Sequence, residues 1–273
     1  MFTMSCSKSS HEMLNYNSIV KAISPENLSR LNAIDIFEII NSTNTWLLQG
    51  VKSGMASATF CFAEQQTQGR GRHGKVWFSP FGQNIYCSLL WHFTLSDVDL
   101  SALSLAVGVM VVAALAKYGV ADALQLKWPN DIYFNGRKLG GILLESLPLA
   151  DAKIAVVMGI GLNVDFGDAQ VSPDWIALRE ITGEPQERNL LAGLLANELL
   201  AQLPRYVEQG FAGFSTEWRK LDMLMGQNVT IASDGQETIG TVQDITARGE
   251  LIVKNSSGER SYAWGEVTVR ALR

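Results

Sequence analysis

Apolar positions along this chain change texture twice. Through about residue 30 the sequence is polar, with only a weak helical pattern around Leu28, and reads as a lead-in segment, 1–33. From Ile34 the pattern sharpens. Residues 36–40 are a short run of β-formers, and Asn41-Ser42-Thr43-Asn44 precedes a helix-like 45–49 that Ser42 or Thr43 can cap. Strands are expected at 56–63, 84–93, 124–128 and 154–163. Residues 102–116 are almost wholly apolar and predict a buried helix, with Ser96 or Asp97 as cap and Gly119 near its end. Asn135-Gly136 between two apolar-bearing runs is the preferred type I′ hairpin turn. Residues 188–208 and 211–224 read as helices.

The second change comes at Gly226. Short strands then alternate with turns: 229–231, Ser233-Asp234-Gly235, 238–242, 251–253, Ser256-Ser257-Gly258. This is the spacing of a small antiparallel barrel. A domain boundary is therefore expected near residue 225.

Composition narrows the function classes. The chain has 273 residues, 47% hydrophobic and 18% charged, so a sizeable core is expected. Its net charge of −5 gives no global field that attracts nucleic acid. The N-terminus has no charged start followed by an apolar core, so no secretory signal is expected. Residues 102–116 are too short to span a bilayer comfortably. Three cysteines, Cys6, Cys61 and Cys87, have no metal-ligand spacing and are odd in number, which fits a reducing cytoplasm. His11, His73 and His92 show no metal spacing either.

Candidate chemistry concentrates in a few segments. Gly69-Arg70-Gly71-Arg72-His73-Gly74, running into Trp77-Phe78-Ser79-Pro80, alternates glycine with cations. Glycine lets backbone N–H groups approach an anion, and arginine supplies a fork of donors. The segment reads as a mobile loop that folds over an anionic ligand, or as a solvated surface turn. Lys127-Trp128-Pro129-Asn130-Asp131 reads either as a strand edge with a turn or as a site. In the second reading Asp131 is a metal-linked or polar orienting group and Lys127 a charge partner. Lys138 follows the hairpin turn. Gly140-Gly141 and Gly159-x-Gly161 place glycines inside strands, which suggests close approach by a ligand or another backbone.

Taken together, the segments resemble biotin protein ligases. The matching runs are Ser42-Thr43-Asn44; Gln66-x-x-Gly69-Arg70-Gly71-Arg72-x-Gly74 with Trp77-Phe78-Ser79-Pro80; Lys127-Trp128-Pro129-Asn130-Asp131; Arg137-Lys138-Leu139-x-Gly141-Ile142-Leu143-x-Glu145; and Gly159-x-Gly161-x-Asn163. The resemblance implies an α+β fold: a catalytic domain over 34–225 with a mixed β-sheet and flanking helices, then a small SH3-like β-barrel over 226–273. It also implies an ATP-dependent ligase that makes biotinyl-5′-AMP and passes biotin to a lysine of a biotin carboxyl carrier protein. By motif, Ser42, Thr43, Asn44 and Gln66 would line the biotin head group. Gly69, Arg70, Gly71 and Arg72 would close over biotin and the adenylate. Lys138 would sit between the biotin carboxylate and the α-phosphate, with Lys138, Arg70, Arg72 and Asp131 as the catalytic set. Asn130 and Asp131 would position ATP and Mg²⁺, Asp131 as the metal ligand. Gly141, Leu143, Gly159, Gly161 and Asn163 would form pocket walls, and Trp175 resembles the aromatic of the adenine-side loop. Longer family members begin with a DNA-binding domain that about 33 residues cannot hold, so no DNA partner is expected, nor a membrane. The protein is expected to be a cytoplasmic monomer or homodimer. His73 stands where some relatives carry a third loop arginine. The rival readings are a lipoate ligase or octanoyltransferase of the same superfamily and, in a different class, a nucleic-acid-binding module.

Overall fold

The computed structural model describes residues 12–96, 98–233, 236–263 and 267–271. Cys6, His11, Asp97 and the turn residues Asp234 and Gly235 lie outside them.

Residues 12–33, without a strong element signal in sequence, hold two short helices, α1 (Tyr16–Val20) and α2 (Pro25–Leu28), capped by Asn15 and Ser24. Seven strands then build one mixed sheet: β1 (Ala33–Ile40), β2 (Thr59–Gln66), β3 (Ile85–Thr94), β4 (Leu124–Lys127), β5 (Asp131–Phe134), β6 (Arg137–Pro148) and β7 (Lys153–Leu162). Their order is β1-β2-β3-β7-β6-β5-β4, with β1 and β2 parallel and every other pair antiparallel. The parallel pair needs a crossover. It is made by α3 (Thr43–Lys52), whose N-cap is Ser42. The Asn-Gly turn joins β5 to β6 as expected, with φ of 45° at Asn135 and 74° at Gly136, the positive pair that a type I′ turn requires.

The two faces of the sheet are covered differently. The first carries α4 (Leu103–Tyr118) and, behind it, α6 (Arg188–Gln209), against which α1 and α2 also pack. Helix α4 is apolar on all sides because it lies between sheet and helix, and it ends on Gly119 in the left-handed conformation at φ 104°. It begins later than expected. Its cap is Ala102, with no side-chain bond, so Ser96 does not serve. The opposite face carries α3, whose Leu47 and Val51 bury Cys61, Leu90, Ala155 and Val157. Cys61 and Cys87 are both free and buried, and burial pushes both thiols well above their ordinary range.

A polar cluster is sealed inside the first layer. Glu64 of β2 and Arg188 of α6 form an ion pair at 2.7 Å, with side chains 1% and 5% exposed. Arg188 also donates to the carbonyls of Asn84 and Glu12, and Glu64 accepts the backbone N–H of Leu14. Asn189 donates to Met13 O and accepts from Asn15 N. Residues 12–15 are thereby tied into the body of the protein.

After α5 (Leu178–Thr182), α6 and α7 (Ser215–Leu221), five strands form the second sheet: β8 (Asn228–Ser233), β9 (Gln236–Ile245), β10 (Leu251–Asn255), β11 (Gly258–Tyr262) and β12 (Val267–Ala271). All pairs are antiparallel, in the order β11-β10-β9-β8-β12. Among the described residues no pairing joins β11 to β12, so the expected barrel is a sheet without a closing ladder. The indole N–H of Trp128, in the first unit, donates to Gly249 O at 2.9 Å in the second.

Asp222, in the connection between the units, has one buried carboxylate oxygen without a partner and a second that accepts from Leu224 N. Burial pushes its pKa up to about 6 from an ordinary 3.8. Because the folded value lies above the unfolded one, this group favours folding below about pH 4. That contribution is lost as pH rises through about 6. Asp222→Asn keeps the acceptor for Leu224. It should add about 1–2 kcal/mol of stability at pH 7.5 and little at pH 4. Denaturant titration at the two pH values checks this, and an equal gain at both would remove the buried charge as the cause.

Candidate functional site

The face that α3 covers is only half covered. Along β7 the residues on that face are Ala155, Val157, Gly159 and Gly161. The first two bury α3. The last two carry no side chain, and Gly159 lies against the first turn of α3. Cross-strand register puts Ser88, Gly159 and Leu143 in one row, and Tyr86, Gly161, Gly141 and Asp131 in the next. Side chains at Gly141, Gly159 and Gly161 would fill the space above the sheet. Their absence leaves a shelf, and above it opens a cavity of about 480 Å³. That volume suits a small-molecule ligand.

What approaches the glycines is now visible. A Cβ on Gly159 would stand 2.3 Å from Asn44 Oδ1, and one on Gly161 would stand 2.4 Å from the indole of Trp77. The glycines admit a helix N-terminus and a tryptophan to the sheet surface.

At the α3 end the cavity is polar. Thr43 N–H donates to Gln66 Oε1 at 3.0 Å. Ser88, which the sequence did not single out, donates its hydroxyl to Asn44 Oδ1 at 2.6 Å and lies 2.7 Å from Thr43 Oγ1. Asn44 Nδ2 donates to Glu145 Oε2 at 2.9 Å and to Leu143 O at 3.3 Å. Ser42 lines the cavity and caps the helix.

At the other end the cavity is cationic. Lys138 Nζ pairs with Asp131 Oδ1 at 2.8 Å and lies 5.4 Å from the centroid of the Trp77 ring. Asp131 thus takes Lys138 as an ion partner, and Lys127, its neighbour across the β4–β5 ladder, lies over the Tyr133 ring. Arg72 Nη1 donates to Asn130 Oδ1 at 3.3 Å, while its Nη2 is buried without a partner. Burial pulls the Arg72 guanidinium below its ordinary value, with Asp131 opposing. A guanidinium stays charged throughout the physiological range. A half-buried cation at a cavity, with one buried nitrogen left unbonded, favours an anionic occupant.

The glycine–arginine segment is a small ordered hairpin. Arg70 bridges Val76, Gly71 N–H donates to Lys75 O at 2.7 Å, and Trp77 N–H donates to Gly69 O at 2.9 Å. Its glycines have separate jobs. Gly69 is a steric requirement, since a Cβ there would stand 2.6 Å from Trp77 O. Gly74 has φ +72°, and beside it His73 also sits in the left-handed region at φ 54°. Gly69 is not among the residues that line the cavity. Arg70, Gly71 and Arg72 are.

Backbone pairing sets the remaining wall. Lys138 N–H donates to Asp174 O and Ile176 N–H to Lys138 O, which lays segment 174–176 beside β6. Trp175 is thereby placed at the cavity, its ring 6.5 Å from that of Phe78. Asn163, buried, donates its amide to the carbonyls of Lys138 and Ile176, so it ties the wall together. Every site residue expected from sequence other than Gly69 lines this one cavity. Trp77 lines it as well, while Ser88 and Glu145 stand behind the lining, bonded to Asn44. Only a glycine-rich row with something polar to face it could have hinted at Ser88.

Among the described residues no group of three or more His, Cys, Asp and Glu is placed to hold a metal ion. A Mg²⁺ that arrives on nucleotide phosphates needs only one or two carboxylates, and Asp131 at the cavity fits that demand.

Comparison with known proteins places these features. Residues 36–163 match the biotin/lipoate A/B protein ligase family, and residues 224–270 match the biotin protein ligase C-terminal domain. The chain is 33% identical over 261 residues to the bifunctional ligase/repressor BirA of Escherichia coli (strain K12), covering 90% of this chain and 80% of the relative. It is 32% identical over 225 residues to a biotin–[acetyl-CoA-carboxylase] ligase of Mycobacterium tuberculosis, covering 80% and 82%. In fold it is similar to the biotin protein ligase from Aquifex aeolicus in complex with biotin and ATP. The TM-score is 0.75 at 24% identity, covering 89% of this chain and 100% of that one.

Proposed function

This chain belongs to the biotin/lipoate A/B protein ligase family, and we propose that it is a biotin protein ligase. It activates biotin with ATP as biotinyl-5′-AMP and transfers the biotinyl group to a lysine of a biotin carboxyl carrier protein. The observation on the cavity itself that supports this best is one pocket with a neutral hydrogen-bonding end at Thr43, Asn44 and Gln66 and a cationic end at Arg72 and Lys138. A ureido ring joined to a carboxylate has the same polarity.

In the first step a carboxylate oxygen of biotin attacks the α-phosphorus of ATP, and the bond to pyrophosphate breaks. Two anions must meet. Lys138 and Arg72 offset their repulsion and the charge that grows on the phosphoryl oxygens. A bound Mg²⁺ would neutralise phosphate charge, with Asp131 holding it beside Asn130. In the second step the acceptor amine attacks the acyl carbon, AMP leaves and an amide forms. No enzyme nucleophile is needed. The Arg70–Trp77 hairpin acts as a lid that keeps water from the mixed anhydride. Trp175 and Phe78 offer an aromatic surface to adenine.

We read 34–225 as the catalytic unit, 226–273 as an SH3-like unit and 1–33 as a lead-in, in a cytoplasmic monomer or homodimer. The reducing compartment agrees with the free, buried Cys61 and Cys87. The match of residues 224–270 to a biotin protein ligase domain disfavours a lipoate ligase or octanoyltransferase. The acidic balance disfavours a nucleic-acid module. Streptavidin-blot detection of transfer to a carrier domain, with lipoate as competitor and salt-dependent DNA binding as control, tests the reading. Transfer of lipoate but not biotin would overturn it.

Arg72→Gly should speed release of the adenylate about tenfold or more, since it removes a charge-assisted contact in a partly buried setting. A filter-binding chase of labelled biotinyl-AMP measures this. Retention equal to wild type would exclude Arg72 as a latch.

A further inference from the structure

We infer that Glu145 is a positioning residue that couples the lid to the head-group end of the cavity, an inference that rests on the biotin ligase reading. One atom makes the coupling. Glu145 Oε2 accepts from Arg70 Nη2 of the lid at 2.6 Å and from Asn44 Nδ2 of α3 at 2.9 Å. The three residues lie far apart in sequence, on the hairpin, on β6 and at the start of α3.

The carboxylate decides which way the Asn44 amide points. A carboxylate and a main-chain carbonyl can only accept, so the nitrogen of Asn44 must face Glu145 and Leu143 O. Both its hydrogens are then used. The oxygen turns to Ser88, whose hydroxyl donates to it, and to the space left by the missing Cβ of Gly159. One lone pair of Oδ1 remains, so the head-group end presents an acceptor, suited to a ligand N–H. A flipped amide would present donors and repel that N–H. Holding the amide in this orientation is the first task of Glu145.

Its second task is to hold the lid. The Arg70–Glu145 pair is partly exposed, with side chains 41% and 25% accessible, so alone it is worth little. Sharing an oxygen with Asn44 changes its role. Removing the charge frees the lid and weakens the orientation of Asn44 together, and neither change touches Lys138. The effect should fall on biotin capture rather than on phosphoryl transfer.

Glu145→Gln tests this, because it keeps shape and removes charge. In biotin-dependent pyrophosphate release its KM for biotin should rise about five- to tenfold, with kcat within about twofold and the KM for ATP unchanged. Glu145→Asp, which retains the charge, should recover part of the loss. Arg70→Gln should raise the biotin KM similarly, and the double variant should be no worse than about twofold beyond either single one. In the ligand-free protein, trypsin should cut after Arg72 or Lys75 about five- to tenfold faster in Glu145→Gln, with Tm unchanged. A fall in kcat at constant KM, multiplicative single effects, or equal trypsin rates would each overturn the inference. A wild-type protein without biotin-dependent pyrophosphate release would instead overturn the function, while the trypsin rates would still decide whether Glu145 anchors the lid.

Discussion

Lys138→Ala is expected to lower biotin-dependent pyrophosphate release by about 100- to 1,000-fold while leaving Tm nearly unchanged. The ammonium is poised between two roles. In the ligand-free protein it is held by Asp131 at 2.8 Å and lies over the face of Trp77. Both contacts are partly exposed, so their loss costs folding little. In the reaction proposed above the same charge would stand where a carboxylate must approach a phosphate, a place that the lid would close to solvent. Initial rates with saturating biotin and ATP, alongside a thermal melt, give the answer. Lys138→Arg should recover only part of the rate, because a planar fork does not replace a compact charge at the same place. A Lys138→Ala rate within about threefold of wild type would remove the lysine from the chemistry.

The largest effect on stability should come from Arg188→Ala, about 3–5 kcal/mol by denaturant unfolding. The substitution strands Glu64, 1% exposed, without its partner, and it frees Glu12 O and Asn84 O. Arg188→Met with Glu64→Leu should be much less harmful than either single change, since the desolvation cost leaves with both charges. A single-variant cost below about 1 kcal/mol would show that water reaches the pair. Residues 12–15 hang on this cluster, so the single variant should also expose the N-terminal segment to protease before the rest.

Local chemistry was legible in the sequence, and long-range chemistry was not. The Asn135-Gly136 turn, the Ser42 cap and Gly119 at the end of α4 could be read because each is decided within a few residues. Gly159 and Gly161 could be read as places of close approach. That Asn44 and Trp77 are what approach them depends on the β1–α3–β2 crossover, which no local pattern encodes. The Glu64–Arg188 pair spans 124 positions and looks, in sequence, like two ordinary surface charges. The start of α4 was misread because Ser96 resembles a cap, yet the chain reaches the helix only at Leu103. Gly69 looks in sequence like its neighbours, and only the fold reveals its tight fit against Trp77 O.

The bare shelf on β7 and β6 also limits how this site can change over evolutionary time. At Gly141, Gly159 and Gly161 the side chain is already as small as chemistry allows, so every single substitution there subtracts space. Routes to a smaller or poorer pocket are therefore many, and they start from three positions. Routes to a larger one must begin elsewhere, at Leu143 or Trp77, and Trp77 also meets Lys138. A variant that admits a bulkier acid by trimming Trp77 would disturb the lysine's surroundings in the same step. Along the Trp77 route the size of the pocket and the surroundings of Lys138 change together, whereas the Leu143 route leaves that contact in place.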